Sequence, residues 1–493
     1  MTAPFVDSSD RPDTPCQAYK AAEEAVTICR DVAAGTLRLR DACADYLPQA
    51  PGEQSPDYAD RVRRSTLFNG LGRTVKGLAG MVMRKDIVLE DDVPEVIAGD
   101  RDQRNAGGHW ENIDLRGTHG DVFARNVLED ALEVGFAGIL VEMPDVSARP
   151  PASLKQERQM GLRPYWCKLR REDVISWREE SVNGSLVLTQ LVVREMRFEP
   201  KGQFGEEKVT RYRVYVRGPM GVVSYSVYRM EVDQPKEEVS PRAMTNLDRI
   251  PVAWVHGRPP VGLVACALPL LDLALINLQH FQTQSDYARG MHMALIPTLV
   301  LKGRGRGKDG KYESVVIGPN AAIDVPTEGD AKYIEHSGSA FGAAREYLKD
   351  LEGQMASLGL SMLQRETRAA ETAEAKRIDK AEGDAPLAVV ARALQDAIEN
   401  ALMLHAKFLK LPEGGSVTVN RDFEGDTMTP QEIDQWSQLV ERRQITLDTM
   451  YAILKAGGAL PPDFDGDAEQ REIELAMPEP EPVVEPEKQP VAA

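Results

Sequence analysis

The sequence predicts an α+β protein whose first half mixes helices and strands and whose second half is mainly helical. Two observations carry this prediction. Residues 165–230 alternate apolar and polar positions and are rich in β-branched and aromatic residues, which is typical of an antiparallel sheet. After residue 268 the apolar positions instead recur every three or four residues, as they do on one face of a helix.

Composition is that of a soluble protein with room for several domains. The chain has 493 residues, of which 42% are hydrophobic and 28% are charged. Its net charge of −18 argues against a protein that coats nucleic acid. Residues 463–493 hold ten acidic and two basic residues, so about −8 of that charge lies on a Pro/Glu-rich tail that is predicted to be disordered. The remainder is mildly acidic, which leaves room for local basic patches.

The N-terminal half begins with helical patterns. One covers residues 58–85 and carries several glycines, and a second covers about residues 118–134. The stretch "GFAGILVEMP" then predicts a short buried strand that ends at Pro144.

The second half is predicted to contain two long helices that flank a small β insert. The first runs over about residues 268–295 and is ended by Pro297, and the second starts near Ser339. Apolar residues of the second helix follow a heptad spacing and form a seam: Phe341, Ala344, Leu348, Leu351, Met355 and Leu358. A seam on a returning helix needs a cover, which is either the outgoing helix or a neighbouring subunit.

A polar break at residues 359–368 follows the seam. Helix is then predicted to resume as far as Leu411, followed by a short strand in "GSVTVNRDF". Two last helices are predicted in "TPQEIDQWSQLVERR" and "TLDTMYAILKAGG", with Pro430 at the start of the first and Gly457 at the end of the second.

Motifs of catalysis and metal binding are missing from the sequence. The seven histidines form no HExxH, the five widely spaced cysteines form no CxxC, and no GxSxG elbow is present. We therefore predict no metal, no cofactor, no disulfide framework and no enzymatic activity. The N-terminus lacks a secretory signal pattern, and Pro269 and Asp272 interrupt the most apolar stretch, so a buried helix is favoured over a membrane span.

The segment "KGRGRGKDGK" is the nearest approach to a phosphate-binding loop. It is not a Walker motif, because Lys302 stands where the first glycine is required and Asp309 follows Lys308. The segment and its flank carry a basic patch: Lys302, Arg304, Arg306, Lys308 and Lys311. This patch is either a solvated turn or a contact for phosphates or an acidic partner. A nucleotide-dependent enzyme that uses this loop is the alternative from a different class.

Taken together, the blocks resemble those of the portal proteins of tailed bacteriophages, in particular a portal-like family formerly of unknown function. The resemblance covers roughly residues 58–458 and is carried by the order of the blocks: "RSTLFNGLGRTVKGLAGMVMRK", "GFAGILVEMP", "RPYWCKLRREDVISWR", "PLLDLALINLQHFQTQSDYARGMHMALIPTLVLKG", "LEGQMASLGLSMLQRETRAAETAEAKRIDKAE" and "TPQEIDQWSQLVERRQITLDTMYAIL".

The resemblance implies a portal-protein fold with eight segments. In chain order these are an N-terminal α/β wing (1–262), a first stem helix (263–295), a β-containing clip (296–336), a second stem helix (337–358), a channel loop (359–370), a long wing helix with a strand that rejoins the wing sheet (371–426), a helical crown (427–460) and the acidic tail (461–493).

The resemblance also implies a function. Portal proteins form rings, dodecameric in the family, at one capsid vertex, where double-stranded DNA enters during packaging and leaves during ejection. The implied partners are further copies of the chain, DNA bound without sequence specificity, the large terminase, and the head-tail adaptor, capsid and scaffolding proteins, with no membrane. The implied location is the virion, after assembly in the host bacterial cytoplasm. Residues of the channel loop that would face DNA are Gln364, Arg365, Glu366 and Arg368. The alternative is another ring-forming head-tail connector or virion scaffold protein without enzymatic activity.

Overall fold

The computed structural model describes most of the chain, in two compact units, Met1–Arg421 and Asp422–Ala493. The described residues are 11–100, 107–144, 153, 156, 160–231, 234–244, 247–295, 298–303, 328–334, 339–361, 386–421, 423, 430–456, 459–460, 464–466, 468–469 and 471.

Helices occupy both units. Over the described residues of the first unit they are α1 (Gln17–Ala34), α2 (Thr36–Asp41), α3 (Cys43–Tyr46), α4 (Ser55–Arg64), α5 (Gly70–Val82), α6 (Glu95–Ala98), α7 (Gly120–Val134), α8 (Leu271–Ala294), α9 (Ser339–Ser361) and α10 (Pro386–Phe408). Those of the second unit are α11 (Pro430–Glu441) and α12 (Leu447–Ala456), at the positions of the two predicted last helices.

The described strands belong to the first unit. They are β1 (Val88–Leu89), β2 (Phe136–Glu142), β3 (Tyr165–Leu169), β4 (Val174–Val182), β5 (Ser185–Lys201), β6 (Gly205–Arg217), β7 (Val223–Glu231), β8 (Gln234–Met244), β9 (Val252–His256), β10 (Thr298–Lys302), β11 (Asp330–Ile334) and β12 (Val417–Thr418). All of their pairings are antiparallel, so the predicted α+β class is confirmed for the described part of the chain.

Strand β2 is the centre of the core. It lies between β3 and β9, and every one of its seven residues is buried, which explains its continuous apolar run. The Trp166 ring of β3 lies 5.8 Å from Phe123 of α7 and 6.5 Å from His405 of α10, so both helices reach this sheet. Gly138 is required in β2, because a Cβ placed there would lie 2.8 Å from the Trp254 ring.

A larger sheet has the strand order β4-β5-β6-β7-β8. Its meander order follows from short turns between successive antiparallel strands, as the alternation of residues 165–230 predicts. The two sheets are joined at Glu142, whose Oε1 accepts a hydrogen bond of 2.8 Å from the Tyr215 hydroxyl and also pairs with Arg213.

The predicted helix over residues 58–85 is instead two helices, α4 and α5. The Asn69 side chain accepts a hydrogen bond of 2.8 Å from Gly72 N and so caps the N-terminus of α5. Its amide nitrogen donates to Ala33 O at 2.9 Å, which ties the break to the end of α1. A capping asparagine therefore overrides the continuous apolar periodicity.

The predicted returning strand is β12, but its pairing differs from the implied one. It pairs with β1 in a two-residue ladder and does not join the larger sheet. The ladder is held by Ser416 and Asp92, since Ser416 N and Oγ both donate to Oδ1 of Asp92 at 2.9 and 3.0 Å. The Asp92 carboxylate therefore holds Ser416, the residue before β12, close to β1.

Candidate functional site

Helices α8 and α9, called here the stem pair, lie side by side and antiparallel. The Tyr287 ring packs edge-on against Phe341 with centroids 6.0 Å apart, and His280 Nε2 lies 3.4 Å from Glu352 Oε1. The contacts thus move towards the N-terminus of α8 as they move towards the C-terminus of α9, so the two helices are antiparallel. The chain therefore leaves along α8 and returns along α9.

The heptad seam lies on the non-exposed face of α9. Leu348, Leu351 and Met355 are 6%, 2% and 3% exposed, and the other three seam residues are half-buried. The remaining residues between 342 and 357 are exposed. Burial is therefore deepest towards the C-terminal end of α9.

The cover of the seam is this chain itself, and it includes a helix that the sequence did not suggest. A Cβ placed on Gly70 of α5 would lie 2.9 Å from Met355 Sδ, and one placed on Gly359 would lie 3.1 Å from Thr74 Cγ2. Helix α5 thus covers the C-terminal end of α9, while α8 covers its earlier turns. Because Gly359 packs against Thr74, α9 continues to Ser361, three residues beyond the predicted end at Leu358.

The outgoing helix begins at Leu271, later than the predicted start near residue 268, and is fastened by a buried asparagine. Asn277 is fully buried; its Oδ1 accepts from Leu71 N at 3.0 Å and its Nδ2 donates to Phe68 O at 2.7 Å. Asn277 therefore holds the break between α4 and α5. Sequence reasoning missed this residue, although a lone asparagine in the apolar run "LDLALINLQHF" is a signal of such a role.

Further along α8, a buried carboxylate makes a second attachment. Glu53 Oε1 accepts from Arg61 Nε at 3.0 Å and from Arg289 Nη1 at 2.7 Å. Hydrogen bonding to Arg61 is the main cause that lowers the pKa of Glu53 to about 2. The Ser285 hydroxyl accepts from Ser65 at 2.8 Å one turn away. Helix α8 is thus held to residues 53–71 along most of its length.

Beyond α8 the chain forms the β10–β11 hairpin, whose ladder runs from Thr298↔Ile334 to Lys302↔Asp330. Lys302 is the one member of the predicted basic patch within the described residues, and it is exposed at the distal end of β10. The other members lie outside the described residues: Arg304, Arg306, Lys308 and Lys311. The predicted channel-loop residues also lie outside them: Gln364, Arg365, Glu366 and Arg368.

Large apolar side chains are exposed where the stem pair meets this hairpin. Met293 and Leu295 at the end of α8 are 65% and 73% exposed, and Tyr333 and Ile334 of β11 are each 58% exposed. We call these four residues the apolar collar. Tyr333 and Ile334 are consecutive on β11, so their side chains expose apolar surface on opposite faces of the hairpin.

Two histidines form a buried pair away from the stem. His109 Nδ1 lies 2.9 Å from His405 Nε2, and desolvation lowers their pKa values to about 4 and about 3 respectively. Both rings are therefore neutral at pH 7. The pair joins the 3₁₀ turn His109–Asn112 to α10 and contacts Trp166, which is a packing role.

Other titratable groups with shifted pKa values also have structural explanations. Burial raises the pKa of Cys29 and Cys167 to about 12, so both thiols stay protonated and are poor nucleophiles. Burial likewise raises the pKa values of the Asp121, Glu133 and Asp173 carboxyls, a feature that the sequence did not indicate.

The described residues also bear on metal binding and on membrane insertion. They contain no cluster of three or more histidine, cysteine or acidic residues placed to hold a metal ion. Within the same residues, no helix has the length and apolar character needed to span a membrane.

Comparison with known proteins finds one family. A domain of unknown function (DUF4055) matches residues 269–409. The matched segment starts two residues before α8 and ends one residue after α10, so it contains the stem pair and the hairpin but less than a third of the chain. No curated protein matches the sequence.

Solved structures of a gene transfer agent (GTA) particle are similar to the chain over most of its length. A chain described as "Virion of native gene transfer agent (GTA) particle" is 13% identical, with a TM-score of 0.35, and the match covers 83% of this chain and 90% of that one. Chains from the neck of the empty particle computed with C6 symmetry and the neck of the native particle computed with C12 symmetry are each 12% identical, with TM-scores of 0.38 and 0.35. The matches cover 83% and 85% of this chain and 90% and 98% of those chains. At TM-scores below 0.5 the likeness assigns no function.

Proposed function

We propose that this chain is the subunit of a portal-like ring, a head-tail connector at one capsid vertex through which double-stranded DNA passes. The observation that carries the proposal is the stem pair. It is held to the N-terminal part of the chain by Asn277 and Glu53, and the apolar collar lies where it meets the β10–β11 hairpin. A helix pair held in this way is suited to line a ring with neighbouring copies of itself.

The apolar collar supports self-assembly. Complete burial of one large apolar side chain contributes about 1.5–3 kcal/mol, so covering four side chains that are more than half exposed contributes on the order of 4–8 kcal/mol per subunit. That is comparable with the loss of translational and rotational freedom on association, so many subunits joined in a closed ring are favoured over an isolated pair.

Charge supports a conduit in which DNA slides. Each phosphate neutralised by lysine or arginine adds affinity through counterion release, and a uniformly basic channel would hold the duplex. The net charge of −18, with localised basic residues, allows transient contacts with little retention. Within the proposal, Arg365 and Arg368 of the channel loop touch the backbone without reading bases.

Under this proposal the basic patch from Lys302 to Lys311 lies at the clip. It faces the large terminase during packaging and the head-tail adaptor afterwards, and the chain acts without enzymatic activity. The wing would contact capsid and scaffolding proteins, and twelve copies would form the ring. Assembly would take place in the host bacterial cytoplasm.

Electron microscopy of the purified protein in negative stain tests the proposal. We expect large rings with an axial opening. Rings with a closed centre would favour a connector or scaffold protein without a DNA channel, and a chain that stays monomeric at high concentration would refute the proposed ring.

A further inference from the structure

Helix α5 lies in a strongly basic part of the chain. Residues 61–85 contain seven arginine or lysine residues and no aspartate or glutamate, although the whole chain has a net charge of −18. This clustering of positive charge does not stabilise the helix, because like charges on one helix face repel each other.

Three of these seven cations have carboxylate partners. Arg61 pairs with Glu53, and Arg63 and Arg64 both pair with Asp60. The remaining four are exposed and make no ion pair with any residue that the structure describes: Arg73, Lys76, Arg84 and Lys85. The Arg73 guanidinium lies over the Phe68 ring, 4.9 Å from its centroid, and keeps its charge there. The nearest acid along the chain is the exposed Asp86, just past the end of α5. A net positive strip therefore remains.

The geometry of this strip suits a bulky polyanion. Arg73, Lys76, Gly77 and Gly80 recur every three or four residues on the face opposite the buried residues of α5. No atom lies within 4 Å of a Cβ placed on Gly77 or Gly80, so the backbone between the cations is open to close approach. From Arg73 to Gly80 the exposed face of α5 extends about 10 Å at 1.5 Å per residue, and Arg84 and Lys85 follow in the turn after the helix ends at Val82.

Because α5 contacts the end of α9, the strip lies near the proposed channel. Thr74 packs against Gly359 in the last turn of α9, and Met355 packs against Gly70. The strip thus begins at Arg73, next to Thr74, which contacts the last turn of α9.

We propose that the exposed face of α5 and the turn that follows it contact the phosphate backbone of duplex DNA beside the end of α9, through Arg73 and Lys76 of the helix and Arg84 and Lys85 of the turn. This inference rests on the proposed function, since it supplies the conduit with a sliding contact other than the channel loop. Duplex DNA carries one charge per about 1.7 Å of its axis, so even the helical part of the strip, about 10 Å long, meets several phosphates at once. Contacts of this kind position the duplex without sequence preference.

The salt dependence of DNA binding tests the inference. Full-length protein is titrated into a labelled 30-base-pair duplex between 50 and 200 mM salt, and binding is followed by fluorescence anisotropy. Each phosphate contact contributes about −0.9 to the slope of log K against log salt, so the Arg73→Gln/Lys76→Gln/Arg84→Gln/Lys85→Gln variant should lose up to about 3.6 of the slope. Affinity at 50 mM salt should fall at least tenfold.

A matched control removes the same charge from exposed positions of the larger sheet: Arg197→Gln, Lys201→Gln, Lys208→Gln and Lys236→Gln. We expect the control to bind as the unmodified chain does. Equal losses in both variants, no loss in the α5 variant, or no binding by the unmodified chain would overturn the inference. Negative-stain images of the same samples separate the two proposals, because rings without an α5 effect leave the ring proposal standing, whereas the absence of rings refutes it.

Discussion

Replacing Asn277 with alanine should loosen the stem pair from the start of α5. The substitution leaves the Leu71 amide, in a fully buried residue, without an acceptor. Phe68 O keeps a second donor, Gly70 N at 2.8 Å, so it loses a bond without becoming orphaned. An unsatisfied buried donor costs about 1–3 kcal/mol and the second bond about 0.5–1.5 kcal/mol, which together give a loss of about 3 kcal/mol.

Hydrogen exchange of the Leu71 amide measures this loss locally, without assuming that so long a chain unfolds in two states. A loss of about 3 kcal/mol corresponds to exchange that is faster by roughly a hundredfold. Gln282→Ala on the same helix is the control, because the exposed Gln282 amide donates to Tyr46 O at 3.0 Å and water can replace it. A change in exchange of less than threefold in Asn277→Ala would refute the anchoring role.

Four further outcomes are expected. Leu351→Ala empties a site that is 2% exposed, and should lower the free energy of unfolding in urea by about 2–5 kcal/mol, whereas Lys349→Ala on the exposed face should change it by less than about 0.5 kcal/mol. Tyr333→Asp combined with Ile334→Asp should abolish rings in sedimentation experiments while the circular dichroism spectrum stays unchanged. Because the folded pKa of His405 is depressed to about 3, the unfolded chain takes up protons first below pH 6.5, and this histidine should lower stability by up to about 1.4 kcal/mol per pH unit down to about pH 3. His405→Gln should make that dependence shallower, and an unaltered dependence would exclude the pair as its source. Deletion of residues 364–368 should leave rings intact but reduce DNA packaging; loss of the rings would mean that these residues are structural.

Most of the fold that could be predicted followed from the spacing of apolar residues along the sequence. The alternation in residues 165–230 and the heptad spacing of residues 341–358 each mark the face of a strand or helix that must be buried. Such a face can be recognised without knowing which element covers it. Helix α10 shows the same: Val390, Leu394 and Leu404 recur at helical spacing and are buried.

Partners across long sequence separations could not be predicted. Nothing in the local pattern indicates that Gly70 leaves room for Met355, or that Asn277 binds the backbone 206 residues earlier. The same holds for the two-residue pairing of β12 with β1, which depends on the contact between Ser416 and Asp92. The basic character of residues 61–85 was visible in the sequence, but its division into paired and unpaired cations depended on where Glu53 and Asp60 lie.

The central claim is that copies of this chain surround a channel. Single-particle electron microscopy of the full-length protein measures this directly. We expect closed rings in which the stem pairs line an axial opening wide enough for a DNA duplex. Particles without rotational symmetry, or rings whose stem pairs point away from the axis, would contradict the account.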